Sequence, residues 1–427
     1  MSSSSELQPR ARPGAMSRAI ARLDRLPLVF PVLFVGLCLL YTLKSGFLTG
    51  SPARSLDSQW LYVSGICFHN HVSPYNIETF NDTWRLALPH EPLSPFVYLP
   101  TVALLMLPIS FLPWHVARVV FDLVNVATLV GIIVLVNRLF RCLGLVQWPR
   151  FLACFGLGIG LLVSGVPAVL LLGQTTLFGV LGVLAALVAV YERRPVLLCL
   201  GLVLCTFKPQ VAVIPLAFMV AATNARERRR FLIPALVAMI VCFAPLLLIP
   251  RAGLIDDVRA SLRGYQVFAS NRPPKVNGLA SLFPSGPLAS AGLWAAAGVI
   301  ASVLLGWRQR LRGSRPGSSP ASGPSANAVI MTLALVGAAM QLHTYDSALY
   351  LPLVALAVNT TSWGLTLGLL PGLVLIGRTP NVVSVLKSLG ASGAWVEPRV
   401  ATLGALYVFV LSVAWRDDHV KAARGEG

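Results

Sequence analysis

An acid, an amide, a cation and a histidine–aspartate pair stand at the margins of apolar runs in this chain: Asp57, Gln174, Lys208, His343 and Asp346. These are residue types that move protons and hold anions. Asp57 lies about ten residues past the first apolar run, ahead of WLYVSG, whose aromatic and aliphatic content suits a helix lying on a membrane surface. A carboxylate there is either a hydrated loop charge or a general base for a hydroxyl presented at the bilayer surface. In LLLGQTTLF, Gly173-Gln174 interrupts two apolar segments. The pair is a helix cap and turn, or Gln174 hydrogen-bonds a sugar or a phosphate. Lys208, in CTFKPQVAVIP, has apolar residues on both sides and is followed by Pro209. Such a lysine either snorkels from a helix end or is a functional cation that pairs with a phosphate. In MQLHTYDSALYLPL, His343 and Asp346 are three residues apart and share a face if helical. They form a buried structural pair, or His343 contacts phosphate and assists proton transfer.

A second polar stretch carries Arg251, Arg259, Arg263, Arg272 and Lys275, a basic cluster suited to anionic headgroups or a substrate phosphate. His69 and His71 lack a companion acid or cysteine at metal-ligand spacing, so no metal is indicated. The seven cysteines are scattered, with no CxxC pair, and most behave as small hydrophobes inside apolar runs.

The elements that must position these groups are helices in a membrane. The chain is 56% hydrophobic and 12% charged, with a mean hydropathy of +0.74, against about 25% charged in soluble domains. Apolar runs recur from about 26–46 through 399–415, which predicts an all-α polytopic membrane protein with about 10–13 transmembrane helices. The net charge of +18 is spread over short arginine-rich segments between those runs. That is the positive-inside pattern rather than a nucleic-acid-binding face. It places a basic tail (1–25), a linker (307–327) and a second tail (416–427) in the cytoplasm, flanking and interrupting a membrane domain over 26–415. The polar loops at about 45–95 and 251–287, with Asp57 in the first, then face outside.

Two regions resist simple threading. Glu192-Arg193-Arg194 and Arg226–Arg230 both belong inside, too close for two full spans between them. A short hairpin fits, with its tip TFKPQ at membrane depth or facing an outer cavity, where irregular backbone is tolerated only if it lines a cavity. The stretch YLPTVALLMLPISFLPWH, broken by Pro100, Pro108 and Pro113, is a re-entrant or short helix.

In order and spacing the chain resembles glycosyltransferase family 87. The matching elements are Asp57 followed by SPYN with Tyr75, FVYLP with Tyr98 and Pro100, GQTT for the family's G-Q-x-N, FKP with Lys208, and LHTYDS with His343. At the asparagine of G-Q-x-N this chain has Thr176. The resemblance implies a GT-C-type bundle with interfacial helices in its outer loops. It implies a bacterial plasma-membrane enzyme with its active site facing outside, which takes a hexose, typically mannose, from a polyprenyl phosphate carrier. The acceptor would be lipid-linked or a glycan, and the transfer would be inverting. Asp57 would be the catalytic base. Lys208, His343, Gln174, Tyr98 and Arg272 would bind donor phosphate and sugar, and Tyr75 and Asp346 would serve the acceptor or the scaffold. No cofactor or metal is implied, because the lipid-linked sugar is a substrate. Broken helices with buried cations also suit a transporter or flippase of a lipid-linked or anionic substrate.

Overall fold

The computed structural model describes residues 27–48, 55–88, 95–223, 225–250, 252–267, 278–283, 286–313, 324–340, 342–359, 368, 369, 371, 372, 375, 379–389 and 396–423. Arg272, the tail 1–25, residues 314–323 of the linker and residues 424–427 lie outside this set. Among the described residues there are seventeen α-helices and no strand, as expected where lipid forces every backbone polar group to pair within its own segment. In chain order they are α1 (Val29–Phe47), α2 (Leu56–His69), α3 (Ile77–Ala87), α4 (Val102–Ile109), α5 (Trp114–Cys142), α6 (Phe151–Val163), α7 (Val166–Leu172), α8 (Thr176–Glu192) and α9 (Pro195–Cys205). There follow α10 (Pro209–Ala222), α11 (Ala225–Phe243), α12 (Leu254–Val267), α13 (Ala291–Gly313), α14 (Ala326–Ala339), α15 (Tyr350–Asn359), α16 (Thr379–Ser388) and α17 (Val396–Ala423).

The apolar runs are of two kinds. Four described stretches are long and apolar enough to cross a bilayer: Val29–Phe47, Trp114–Cys142, Arg228–Leu248 and Ala291–Leu311. The pair α6 and α7, bent by 51°, forms a fifth. Six further apolar helices have only 10–17 residues. The chain is an all-α polytopic membrane protein whose long helices surround short ones.

The short helices pair into hairpins. Helices α7 and α8 turn at 173–175, α9 and α10 at 206–208, and α14 and α15 at 340–349. The far ends of α8, α9, α10 and α14 meet at one arginine-rich end of the bundle. There Arg138 and Arg194 both pair with Glu192, and the Tyr191 hydroxyl donates to the Pro324 carbonyl. With 11 residues, α9 rises only about 16 Å from that end, roughly half of a ~30 Å hydrocarbon layer. Helix α9 is therefore too short to span, as expected of the short hairpin read from the charge spacing.

Close approach of α8 to α9 depends on glycine. A Cβ on Gly182 would lie 2.6 Å from the Cys205 amide nitrogen, and one on Gly201 would lie 2.7 Å from that of Ala186. Gly182→Leu is therefore expected to force α8 and α9 apart at a cost of about 3 kcal/mol. Thermal melting in detergent checks this, and an unchanged melting temperature would show that the two helices separate freely.

The opposite end carries a cap built from the two polar loops. Helix α3 buries Phe80 and Trp84, and these join Phe68, Phe96 and Phe121 in a second, largely aromatic core. The short α4 packs on α2 and does not cross the membrane, and the Tyr62 hydroxyl donates to the Leu112 carbonyl at 2.8 Å beyond it. The two loops meet directly. The Asn76 amide donates to Asp257 Oδ1 at 3.1 Å, and the Ser261 hydroxyl donates to the Tyr75 carbonyl at 2.8 Å.

Candidate active site

Asp57 occupies the first turn of α2. Ser55, at the N-cap with φ of 63°, donates its N–H to the Leu171 carbonyl at 2.7 Å, which ties the start of α2 to the end of α7. The chain then turns at Gly173, with φ of +70°, a conformation open to glycine at little cost. A Cβ there would lie 2.6 Å from the Ser58 hydroxyl, so the residue that ends α7 also lets α2 settle onto it. This brings Gln174 under Asp57.

From Gln174 a buried polar chain runs across all three hairpin tips. The Gln174 amide Nε2 donates to Asp57 Oδ2, and its Oε1 accepts from Lys208 Nζ at 3.3 Å. Lys208 Nζ also lies 3.3 Å from Asp346 Oδ1. That same oxygen accepts from the Thr176 hydroxyl at 2.7 Å, and the His343 backbone N–H donates to Asp346 Oδ2 at 3.1 Å. The Thr175 hydroxyl closes the frame by donating to the Phe207 carbonyl at 3.0 Å. Exposure is 2% for Gln174, 3% for Lys208 and 0% for Asp346, so each polar group depends on its partners rather than on water.

Among the described residues the charges at the tips do not balance. Two carboxylates share one ammonium, and Lys208 makes its ion pair with Asp346. Asp57 reaches the cation only through the Gln174 amide. Burial pushes the Asp57 carboxyl up from 3.8 to about 6, opposed by the Gln174 hydrogen bond and the Lys208 charge and assisted by the negative charge of Asp346. The His343 imidazole is lowered from its ordinary 6.5, chiefly by burial and also by Lys208, while Asp346 pulls the other way. Two phenols complete the lining. Burial first, and then the charges of both carboxylates, hold the Tyr98 proton on far above the usual range. Tyr265 on α12 is pushed up to about 12 by the same causes.

Six of the residues picked out from sequence thus come together: Asp57, Tyr98, Gln174, Lys208, His343 and Asp346. Tyr75 sits one layer back. Its hydroxyl donates to the Tyr98 carbonyl at 2.9 Å and its ring packs on Phe96, so it positions the Tyr98 strand of chain. His343 and Asp346 do not meet as two side chains on a helix face. Residues 344–349 form a 3₁₀ turn with His343 as its cap, and the contact runs through the His343 backbone. His69 packs edge-on against Phe111, and His71 bonds the Leu248 carbonyl through Nδ1. Among the described residues no three His, Cys, Asp or Glu gather as metal ligands. Sequence reasoning missed Tyr265, whose place on an amphipathic helix gives no signal. It noted Thr176 only as a departure from a motif, yet that hydroxyl serves Asp346 directly.

The arrangement offers a buried carboxylate poised near neutrality, a cation one amide away, and phenols and an imidazole around them. Compared with known families, residues 96–336 match the model of glycosyltransferase family 87. That stretch holds Tyr98, Gln174, Lys208 and Tyr265, with Asp57, His343 and Asp346 on either side of it. No curated protein matches, and no solved structure does.

Proposed function

The chain belongs to glycosyltransferase family 87 and is a membrane glycosyltransferase, and from that premise we propose that it moves a hexose, mannose in the first instance, from a polyprenyl phosphate carrier to a lipid-linked or glycan acceptor. The bundle is then of GT-C type, in a bacterial plasma membrane, with the capped end and its site facing outside.

The observation that carries this reading is the Asp57–Gln174–Lys208–Asp346 chain at the three hairpin tips. Asp57 takes the acceptor hydroxyl proton as that oxygen bonds to the anomeric carbon. The bond from that carbon to the phosphate oxygen breaks on the opposite face, and the phosphate leaves with the electron pair, so the anomeric centre inverts. A sugar phosphodiester carries one negative charge and the departing phosphate gains a second. Lys208 meets the charge that develops, which is the kind of stabilisation that lowers a barrier rather than merely tightening binding. His343, Tyr98 and Tyr265 line the sugar and phosphate subsites, and Asp346 holds Lys208 in place.

A groove of about 620 Å³ supports a lipid carrier. It includes Thr206 and Pro209, which flank Lys208, and continues along α10 past Val213, Leu216 and Val220. An isoprenoid chain lying there would start beside the phosphate-binding tip and remain at membrane depth.

Purified protein should transfer labelled mannose from polyprenyl-phosphate-mannose to lipid extracts of the source organism. Transfer from a nucleotide sugar instead would overturn the donor assignment, and passage of the lipid-linked sugar across vesicles without transfer would favour a transporter. The same assay reads the base. Only ionised Asp57 accepts a proton, so kcat/KM should fall about tenfold per pH unit as pH drops below about 6. A profile flat through that range rules out Asp57 as the base.

A further inference from the structure

At the arginine-rich end, the wedge between α9 and α11 holds a second groove, of about 540 Å³. Its floor is apolar, with Val196, Cys199, Ile233 and Val237 among its residues, and Arg193, Arg194 and Arg230 stand at its mouth. Val196 and Ile233 are more than two-thirds exposed, so the groove opens sideways toward lipid rather than into the bundle. Its volume is within the range of small-molecule sites, about 300–1,000 Å³.

Among the described residues, three arginines and no acid line this groove. Glu192 is already shared between Arg138 and Arg194. Arg193 has a further oddity. It ends α8 with φ of 56°, where glycine or asparagine is the ordinary choice. An arginine there carries a backbone cost of about 1 kcal/mol, and it is among the residues that line the groove.

We propose that this wedge binds an anionic phospholipid, whose acyl chain fills the groove between α9 and α11 and whose phosphate sits on Arg193, Arg194 and Arg230. The apolar floor selects a lipid over a free phosphate, and the arginines select an anionic headgroup over a zwitterionic one. The site is at the opposite end of α9 from Lys208 and does not depend on the glycosyl donor.

The test uses the full chain in phosphatidylcholine nanodiscs with a photoactivatable phosphatidylglycerol that carries its diazirine on the acyl chain. Crosslinks should map to peptides holding Cys199 and Ile233. Unlabelled phosphatidylglycerol should compete, while phosphatidylcholine and inorganic phosphate should not. Arg193→Gly and Arg230→Gln should each weaken phosphatidylglycerol competition about fivefold, the effect of one cation near an anionic headgroup. Arg193→Gly relieves the left-handed backbone, so it should melt at or above the parent temperature while losing lipid. Cys199→Trp, which fills the floor, should reduce crosslinking without altering charge. Equal competition by phosphatidylcholine overturns the proposal, as does unchanged competition in both arginine variants. Displacement by inorganic phosphate alone would mean a bare anion patch, and overturns it too.

Discussion

Asp57→Asn is expected to lower sugar transfer by about 100- to 10,000-fold, the span general base catalysis supplies, while raising the melting temperature at neutral pH. The two effects have one origin. Burial raises the Asp57 carboxyl from 3.8 to about 6, so the ionised form that a general base needs is the form the fold disfavours. Stability linked to this group is full below its ordinary value and lost as pH rises through about 6, amounting to roughly 3 kcal/mol at higher pH. Asparagine stays neutral throughout and keeps an oxygen to accept the Gln174 amide. The gain in melting temperature should therefore vanish in acid, below the ordinary carboxylate range. Parallel transfer assays and melting curves across pH check both halves. Near-normal turnover by Asp57→Asn would sink the base assignment. Lost turnover with lowered stability at every pH would make Asp57 a structural residue.

Lys208→Met should damage stability and activity together. It leaves Asp346 buried without its counter-ion, with the Thr176 hydroxyl and the His343 N–H as its remaining partners among the described residues. Stranding a buried charge costs about 3–5 kcal/mol, so the variant should melt far below the parent. Activity should fall as well, by about 100- to 1,000-fold for a lost phosphate-stabilising group. The double variant Lys208→Met/Asp346→Asn separates the two effects. Neutralising Asp346 should restore most of the stability and none of the transfer. Recovered transfer in the double variant would show that Lys208 serves only as the counter-ion of Asp346.

Much of this site was visible in sequence because the chain is so apolar. In a protein with 12% charged residues, a lysine or aspartate where a helix must stop stands out, and Asp57, Gln174, Lys208 and Asp346 were found that way. Charge sidedness also implied the α9–α10 hairpin, since two basic segments so close together leave room for nothing longer. Partner identity was another matter. Thr176 and Asp346 are 170 residues apart, and nothing local marks their contact. The 3₁₀ turn after His343 likewise changes which atoms meet, and residue spacing alone assumes a regular helix. Tyr265 arrives from a cap helix whose docking is decided by long-range contacts at Tyr75 and Asn76.

The short hairpins also bear on how the protein enters its membrane. Helices α9, α10, α14 and α15 have 10–14 residues each, and Lys208 and Asp346 lie in the turns between them. At mid-bilayer either charge opposes insertion by about 2.5–3.5 kcal/mol, and neither hairpin offers a full apolar span in compensation. Their charges cancel only when the tips of both hairpins meet. Insertion of the two hairpins is therefore expected to be coupled through the Lys208–Asp346 pair, so that removing either charge alone should lower the yield of membrane-inserted protein.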